Sequence, residues 1–268
     1  MAPPLQMERI MLLAIDIGNT NTVIGLFEEE TLEHHWRLET KKERTGDEWG
    51  VYLRELFRFE KCDIGEADSV IISSVVPPME RALNDMCQRY LKTIPLYVTP
   101  EVRLNIKIVI DNPGELGADR IVNSVAAYKK FKADLIIIDF GTATTFDYVS
   151  KKGEYRGGLI LPGIGISLEA LLNHASKLPR IEIAKPRHVI GTNTVESMQS
   201  GIYYGYAGMI DSVVERMEKE IGRKTKVVAT GGMSRLIAAD SKRIEETDEL
   251  LTLEGLKLIY EWNKNPKP

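Results

Sequence analysis

Leu13-Ala14-Ile15-Asp16-Ile17-Gly18-Asn19-Thr20-Asn21-Thr22 is the stretch on which the reading of this chain turns. Small and apolar residues run up to Asp16, a glycine follows, and Val23-Ile24-Gly25-Leu26-Phe27 is apolar again. The pattern predicts a buried strand, a tight turn and a returning strand, a β-hairpin. The turn holds what a phosphate needs. Gly18 lets the backbone come close, and Asn19, Thr20, Asn21 and Thr22 offer N–H, amide and hydroxyl donors. Asp16, at the strand end, is suited to hold a metal ion directly or through water.

The pattern returns at Leu135-Ile136-Ile137-Ile138-Asp139-Phe140-Gly141-Thr142-Ala143-Thr144-Thr145. Aligning Ile15–Thr22 with Ile138–Thr145 gives identity at the Ile, the Asp, the Gly and the final Thr. One Asp-x-Gly carries little weight. Two, each after an apolar strand and at corresponding places in two halves, predict an internal duplication.

Composition narrows the class. With 268 residues, 43% hydrophobic and 28% charged, the chain reads as globular, with room for one large domain or two. A net charge of −4 without a basic stripe argues against nucleic acid or an anionic membrane as the main partner. Cys62 and Cys87 fit no metal spacing and read as free thiols in a reducing compartment. No run approaches the ~18–20 apolar residues of a membrane span. Met1 to Arg9 lacks a basic-then-apolar signal pattern, and Met1–Ile10 reads as an extension. A cytoplasmic protein is the expectation.

Between the hairpins, Leu32 to Thr40 suits a third antiparallel strand. His34 and His35 are adjacent on it, so they point to opposite faces and do not chelate one metal. Thr45-Gly46-Asp47-Glu48 opens an amphipathic helix. Ala67 to Val76 is a strand ending in serines, which either line a site or cap the helix that Pro77-Pro78 begins, roughly 79–91. Pro95 to Thr99 is a short strand, and Val102–Asp111 a link. Asn112-Pro113-Gly114 is a turn. Asp119-Arg120 begins a helix, where Asp119 is open to a bland reading as a first-turn acid.

In the second half, Gly157 to Gly165 is glycine-rich and apolar but is no Walker loop, since no Lys-Ser/Thr follows. Ser167 to Leu172 reads as a helix, and another runs from Val195. Within it Gly201, Gly205 and Gly208 allow close helix approach, inside the subunit or across a dimer. Lys226 to Met233 is a strand and a Gly-Gly turn, and Glu254 to Trp262 a terminal helix.

Two α/β halves, each opening with strand-Asp-x-Gly-turn-strand, suggest an α/β fold of two duplicated ribonuclease H-like domains with a nucleotide cleft between them. That is the layout of the actin, Hsp70 and sugar kinase superfamily. The expected domains are 11–126, with the phosphate-binding hairpin, and 127–262, with a cation site and a dimer interface. From Met11 onward the chain resembles the type III pantothenate kinases. The resemblance rests on Asp16 to Val23, on Asn112-Pro113 through Gly117-Ala118-Asp119-Arg120, and on Asp139 to Thr145. It continues through Gly157-Gly158, Pro162-Gly163, Asn193-Thr194 and Thr230-Gly231-Gly232.

The resemblance implies ATP-dependent phosphorylation of pantothenate to 4'-phosphopantothenate, the first step of coenzyme A biosynthesis, by a homodimer. It implies Mg²⁺ with the ATP, and K⁺ or NH₄⁺. Asp16, Ile17, Gly18, Asn19, Thr20, Asn21, Thr22, Val23 and Thr142 would bind ATP, with Asp16 placing Mg²⁺, possibly via water. Gly117, Ala118, Asp119, Arg120 and Thr194 would bind pantothenate, with Asp119 as general base and Arg120 on the substrate carboxylate. Asp139 would hold the monovalent cation. Ile110 stands where many members carry a tyrosine. Two other classes fit the same organisation: another phosphotransferase or phosphohydrolase, and a non-catalytic regulator. Retention of Asp16, Asp119, Asp139 and Arg120 argues against the regulator.

Overall fold

The computed structural model describes residues 11–264, so the expected extension Met1–Ile10 and residues 265–268 lie outside the described residues. In chain order, β1 (Met11–Ile17), β2 (Asn21–Glu28) and β3 (Thr31–Glu39) precede α1 (Gly46–Phe59). Next come β4 (Ala67–Ser74), α2 (Glu80–Met86) running into a π turn at Cys87–Leu91, β5 (Leu96–Tyr97) and β6 (Lys107–Ile108). Then follow α3 (Ala118–Phe131), β7 (Leu135–Phe140), β8 (Ala143–Val149), β9 (Glu154–Pro162) and α4 (Ile164–His174). The chain continues through α5 (Thr194–Ile221), β10 (Lys226–Gly231), α6 (Ser234–Ala238), β11 (Glu246–Thr247) and α7 (Leu251–Asn263).

The duplication is visible in the sheets. One runs β3-β2-β1-β4-β5, with β1, β2 and β3 antiparallel and β4 and β5 added in parallel. The other runs β11-β10-β7-β8-β9-β6, with β7, β8 and β9 antiparallel and β10 and β11 in parallel. Apart from β6, the second order is the first repeated.

The chain forms two compact units. The first comprises residues up to Leu104, Gly114–Val122 and the chain from Thr252 onward; the second comprises Asn105–Pro113 and Asn123–Leu251. The passage from one to the other therefore falls inside α3, after Val122, and the last helix returns to the first unit. Two features differ from the sequence expectation. The link 102–111 contains a strand, because Lys107 and Ile108 pair in parallel with Glu154 and Tyr155. The glycine-rich 157–162 run is the second half of β9, paired along its length with β8.

In the first unit the two-residue period of β1 separates two faces. Leu13, Ile15 and Ile17 meet Val70 and Ile72 of β4, Trp49, Leu53 and Phe57 of α1, and Leu83 and Met86 of α2. Helix α1 starts where it does because Thr45 and Glu48 form a capping box: Glu48 N–H donates to Thr45 Oγ1 (3.3 Å) and Thr45 N–H to Glu48 Oε2 (2.7 Å). The opposite face carries Ala14, Asp16, Gly25 and Ser69. Helix α7 covers it, placing Leu253 on Gly25 and Tyr260 Oη 2.5 Å from Ser69 Oγ. In the second unit Ile136, Ile138 and Phe146 pack on Tyr203, Ile210 and Val214 of α5.

Candidate active site

The β1–β2 turn is closed by Gly18 N–H donating to the Asn21 carbonyl (3.0 Å). Thr40, just past β3, braces it. Its N–H donates to the Thr20 carbonyl (2.9 Å) and its hydroxyl to the Gly18 carbonyl (2.8 Å). A hydroxyl has one proton. Since Thr40 gives its proton to Gly18, the 2.9 Å contact between Thr22 Oγ1 and Thr40 Oγ1 must be donated by Thr22. Thr22 is thus a buried brace, and Ile17 is a core side chain. Asn19, Thr20 and Asn21 are the exposed residues of the turn, and Val23 is half-buried behind it.

The Gly117–Arg120 segment lies in the same unit. A Cβ on Gly117 would come 3.6 Å from Val75 Cγ1, just past the end of β4, and 2.5 Å from Asp119 Oδ1. Only a glycine lets the Asp119 carboxylate fold back over the start of α3. Ala118 and Asp119 form the first turn of α3, and Arg120 N–H donates to Asp119 Oδ1 (2.8 Å). Burial pushes the Asp119 carboxyl above the usual aspartate range; the Arg120 N–H and guanidinium pull it down without cancelling the rise.

In the second unit Asp139 is the penultimate residue of β7, as Asp16 is of β1. Asn123 Nδ2 donates to Asp139 Oδ2 (3.0 Å). Its Oδ1 faces Gly231, where φ is +87° and a Cβ would fall 2.6 Å from that oxygen. Thr142 lies in the β7–β8 turn, closed by Gly141 N–H on the Ala143 carbonyl (3.1 Å), and the Thr142 carbonyl accepts from Gly163 N–H (3.1 Å). Thr194 begins α5 after Asn193, whose Oδ1 caps Glu196 N–H (3.0 Å). Thr194 lines a cavity of about 530 Å³ with Leu171, Leu178, Met198 and Ile202. In the same unit Ile110 lies 3.9 Å from where a Gly157 Cβ would be.

The residues fit the implied ions. Among the described residues no cluster of three or more His, Cys, Asp or Glu could hold a metal. Mg²⁺ needs none, since it keeps several waters and takes one or two carboxylates plus phosphate oxygens. Asp16 fits such a site: its register partner on β4 is Ser73, whose buried hydroxyl has no hydrogen-bond partner. Asp139 fits a hard cation, as an all-oxygen donor in a glycine cradle. Cys62 and Cys87 are free thiols. No helix of the described residues is long and apolar enough to cross a membrane.

Structure thus brings Asp16 to Val23 into one unit with Gly117 to Arg120, and Asp139 into another with Thr142 and Thr194. Sequence reasoning passed over Thr40 and Asn123, which carry no local signal. Ser73 was visible only as one of two terminal serines.

Comparisons agree with this architecture. The type III pantothenate kinase family model matches residues 12–216. A type III pantothenate kinase from Myxococcus xanthus is 55% identical over 250 residues, covering 93% of this chain and 98% of that protein. One from Geobacter sulfurreducens is 53% identical over 254 residues, covering 95% and 100%. Among solved structures, a Baf-family protein from Campylobacter jejuni superposes with TM-score 0.59 at 20% identity, covering 94% of this chain and 99% of that one. The ethanolamine utilization protein EutJ from Carboxydothermus hydrogenoformans gives 0.58 at 15% identity, covering 97% and 91%, a likeness of fold alone. With the family model spanning most of its length and full-length relatives above half identity, this chain belongs to the type III pantothenate kinase family.

Proposed function

We infer that this chain transfers the γ-phosphoryl group of ATP to pantothenate, giving 4'-phosphopantothenate at the first step of coenzyme A biosynthesis. Its membership of a family of that activity carries the reading. The acidic and basic residues at the start of α3 supply a chemistry for it.

Phosphoryl transfer is mostly positioning and charge stabilisation. The turn at Gly18–Asn21 offers N–H and side-chain donors to phosphate oxygens, and Thr142 is a second ATP contact. Arg120 presents a planar fork to the pantothenate carboxylate, a match made bidentately. Asp119 orients the primary hydroxyl and takes its proton as the oxygen bonds to the γ-phosphorus and the bond to the β-phosphate oxygen breaks. ADP leaves with the electron pair. Asp16 would hold Mg²⁺, which screens phosphate charge when bound. Asp139 would hold K⁺ or NH₄⁺, which would offset further phosphate charge where no P-loop lysine exists. Thr194 contacts pantothenate from the cavity it lines.

The protein works as a homodimer. On α5, Gly201, Gly205 and Gly208 recur at helical spacing, and a Cβ at any of them would meet nothing within 4 Å. In the same unit Ile160, Ile166, Val189, Ile190 and Val195 are exposed apolar residues. A second copy covering that face accounts for both.

Calorimetric titration of pantothenate tests the site. Wild type binds it, and Arg120→Ala weakens binding at least tenfold with ATP affinity kept. No pantothenate binding by wild type, or an effect confined to ATP, contradicts the reading.

A further inference from the structure

Ser73 is wholly buried at the end of β4, and its hydroxyl has no hydrogen-bond partner. A buried hydroxyl left unpaired costs about 1–3 kcal/mol, and such groups are commonly explained by a bound water, an ion or a functional role. Alanine would fill the position without that cost.

Its surroundings narrow the choice. Across the parallel β1–β4 pair, Ser73 is the register partner of Asp16. The two side chains therefore emerge next to each other from the same face. That face is not the one bearing Leu13, Ile15, Ile17, Val70 and Ile72, so Ser73 is no member of the apolar cluster. Two residues on, Val75 Cγ1 lies 3.6 Å from where a Gly117 Cβ would stand, at the segment that begins the Asp119 turn. The second unit repeats the arrangement independently: Thr230 of β10 is the register partner of Asp139 on β7, and it too is buried. Each half thus sets a buried hydroxyl beside its strand-ending aspartate. The Asp-x-Gly alignment alone does not reveal this, since the hydroxyls lie on strands far along the chain.

We propose that Ser73 is a positioning residue for Asp16: its hydroxyl holds a water of the hydration shell through which Asp16 carries the divalent cation. The inference rests on the metal role given to Asp16 above. The hydroxyl gains the partner that the protein itself does not supply, and the shared water fixes the carboxylate before nucleotide arrives.

Ser73→Ala, Ser73→Thr and Asp16→Asn are compared with wild type by calorimetric titration of a non-hydrolysable ATP analogue, with and without Mg²⁺, and by thermal unfolding. Ser73→Ala is expected to lose about tenfold in Mg²⁺-dependent affinity. Its Mg²⁺-free affinity stays unchanged, and its Tm stays close to that of wild type, because the hydroxyl makes no bond to the rest of the protein. Ser73→Thr, which keeps the hydroxyl, restores most of the loss. Wild-type Mg²⁺ dependence in Ser73→Ala, with that dependence abolished in Asp16→Asn, overturns the proposal alone. So does a Ser73→Thr protein as impaired as Ser73→Ala. Mg²⁺ dependence that survives in Asp16→Asn overturns the metal role of Asp16 and the proposal with it.

Discussion

As the proposed general base, Asp119 is set between two demands. To take a proton it must be ionised, yet burial favours its neutral form and raises its pKa. A folded-state pKa above the unfolded one means that ionised Asp119 destabilises the fold at neutral pH, and that the cost is relieved as pH falls through the folded value. Asp119→Asn should therefore keep or raise Tm while lowering kcat by ~10²–10⁴, the usual scale of general acid–base catalysis. The same shift places the acid limb of the wild-type rate above the ordinary aspartate pKa of about 3.9. Steady-state kinetics across pH with thermal unfolding checks all three. Wild-type turnover in the variant would remove Asp119 from the role. The Gly117-Ala118-Asp119-Arg120 motif could be read from the sequence because it is local. The part played by Thr22 could not: its composition suits a phosphate donor, and only the contact with Thr40, distant in sequence, assigns its proton.

At the scale of elements, both hairpins were readable because burial, turn chemistry and repetition agree within about ten residues. β6 and β11 were not. Each is a two-residue strand, Lys107–Ile108 and Glu246–Thr247, whose identity comes from pairing alone. β9 was hidden because Gly157 and Gly158 lower its strand propensity. Helix α5 was legible from its start, but not the anchor at its end. There Glu218 accepts from Lys224 Nζ (2.9 Å) and Thr225 N–H (2.9 Å) and pairs with Arg243. Burial alone would raise the Glu218 carboxyl; Arg243, the Thr225 N–H and Lys224 outweigh it and hold it down to about 2. A lowered carboxylate pKa contributes stability above the unfolded value of about 4.3, lost as pH falls toward the folded value. Glu218→Gln should cost about 1.5–3 kcal/mol at neutral pH, the range for hydrogen bonds to charged groups. Denaturant unfolding should show the gap to wild type closing between about pH 4 and 2. A gap independent of pH would mean that the charge is not what anchors the helix.

For the whole molecule, the repeated strand order is the strongest sign of a duplicated fold. It follows from the same pattern of apolar strand, aspartate and glycine turn read in two places. The return of α7 to the first unit was not readable from sequence. It depends on Leu253 meeting Gly25 and Tyr260 meeting Ser69, contacts that span most of the chain. Light scattering should give a dimer, and Gly205→Arg, on the open face of α5, a folded monomer. A wild-type monomer, or a dimer that tolerates the arginine, would contradict the assignment of that face.

Initial rates of ADP release with Mg-ATP and K⁺, with and without pantothenate, decide whether this chain phosphorylates pantothenate. Release should depend on pantothenate, with the lost phosphoryl group recovered on it by mass, and KM for ATP should rise when Na⁺ replaces K⁺. Identical kinetics in the two salts would remove the cation role of Asp139 alone. ATP turnover indifferent to pantothenate would contradict the account as a whole.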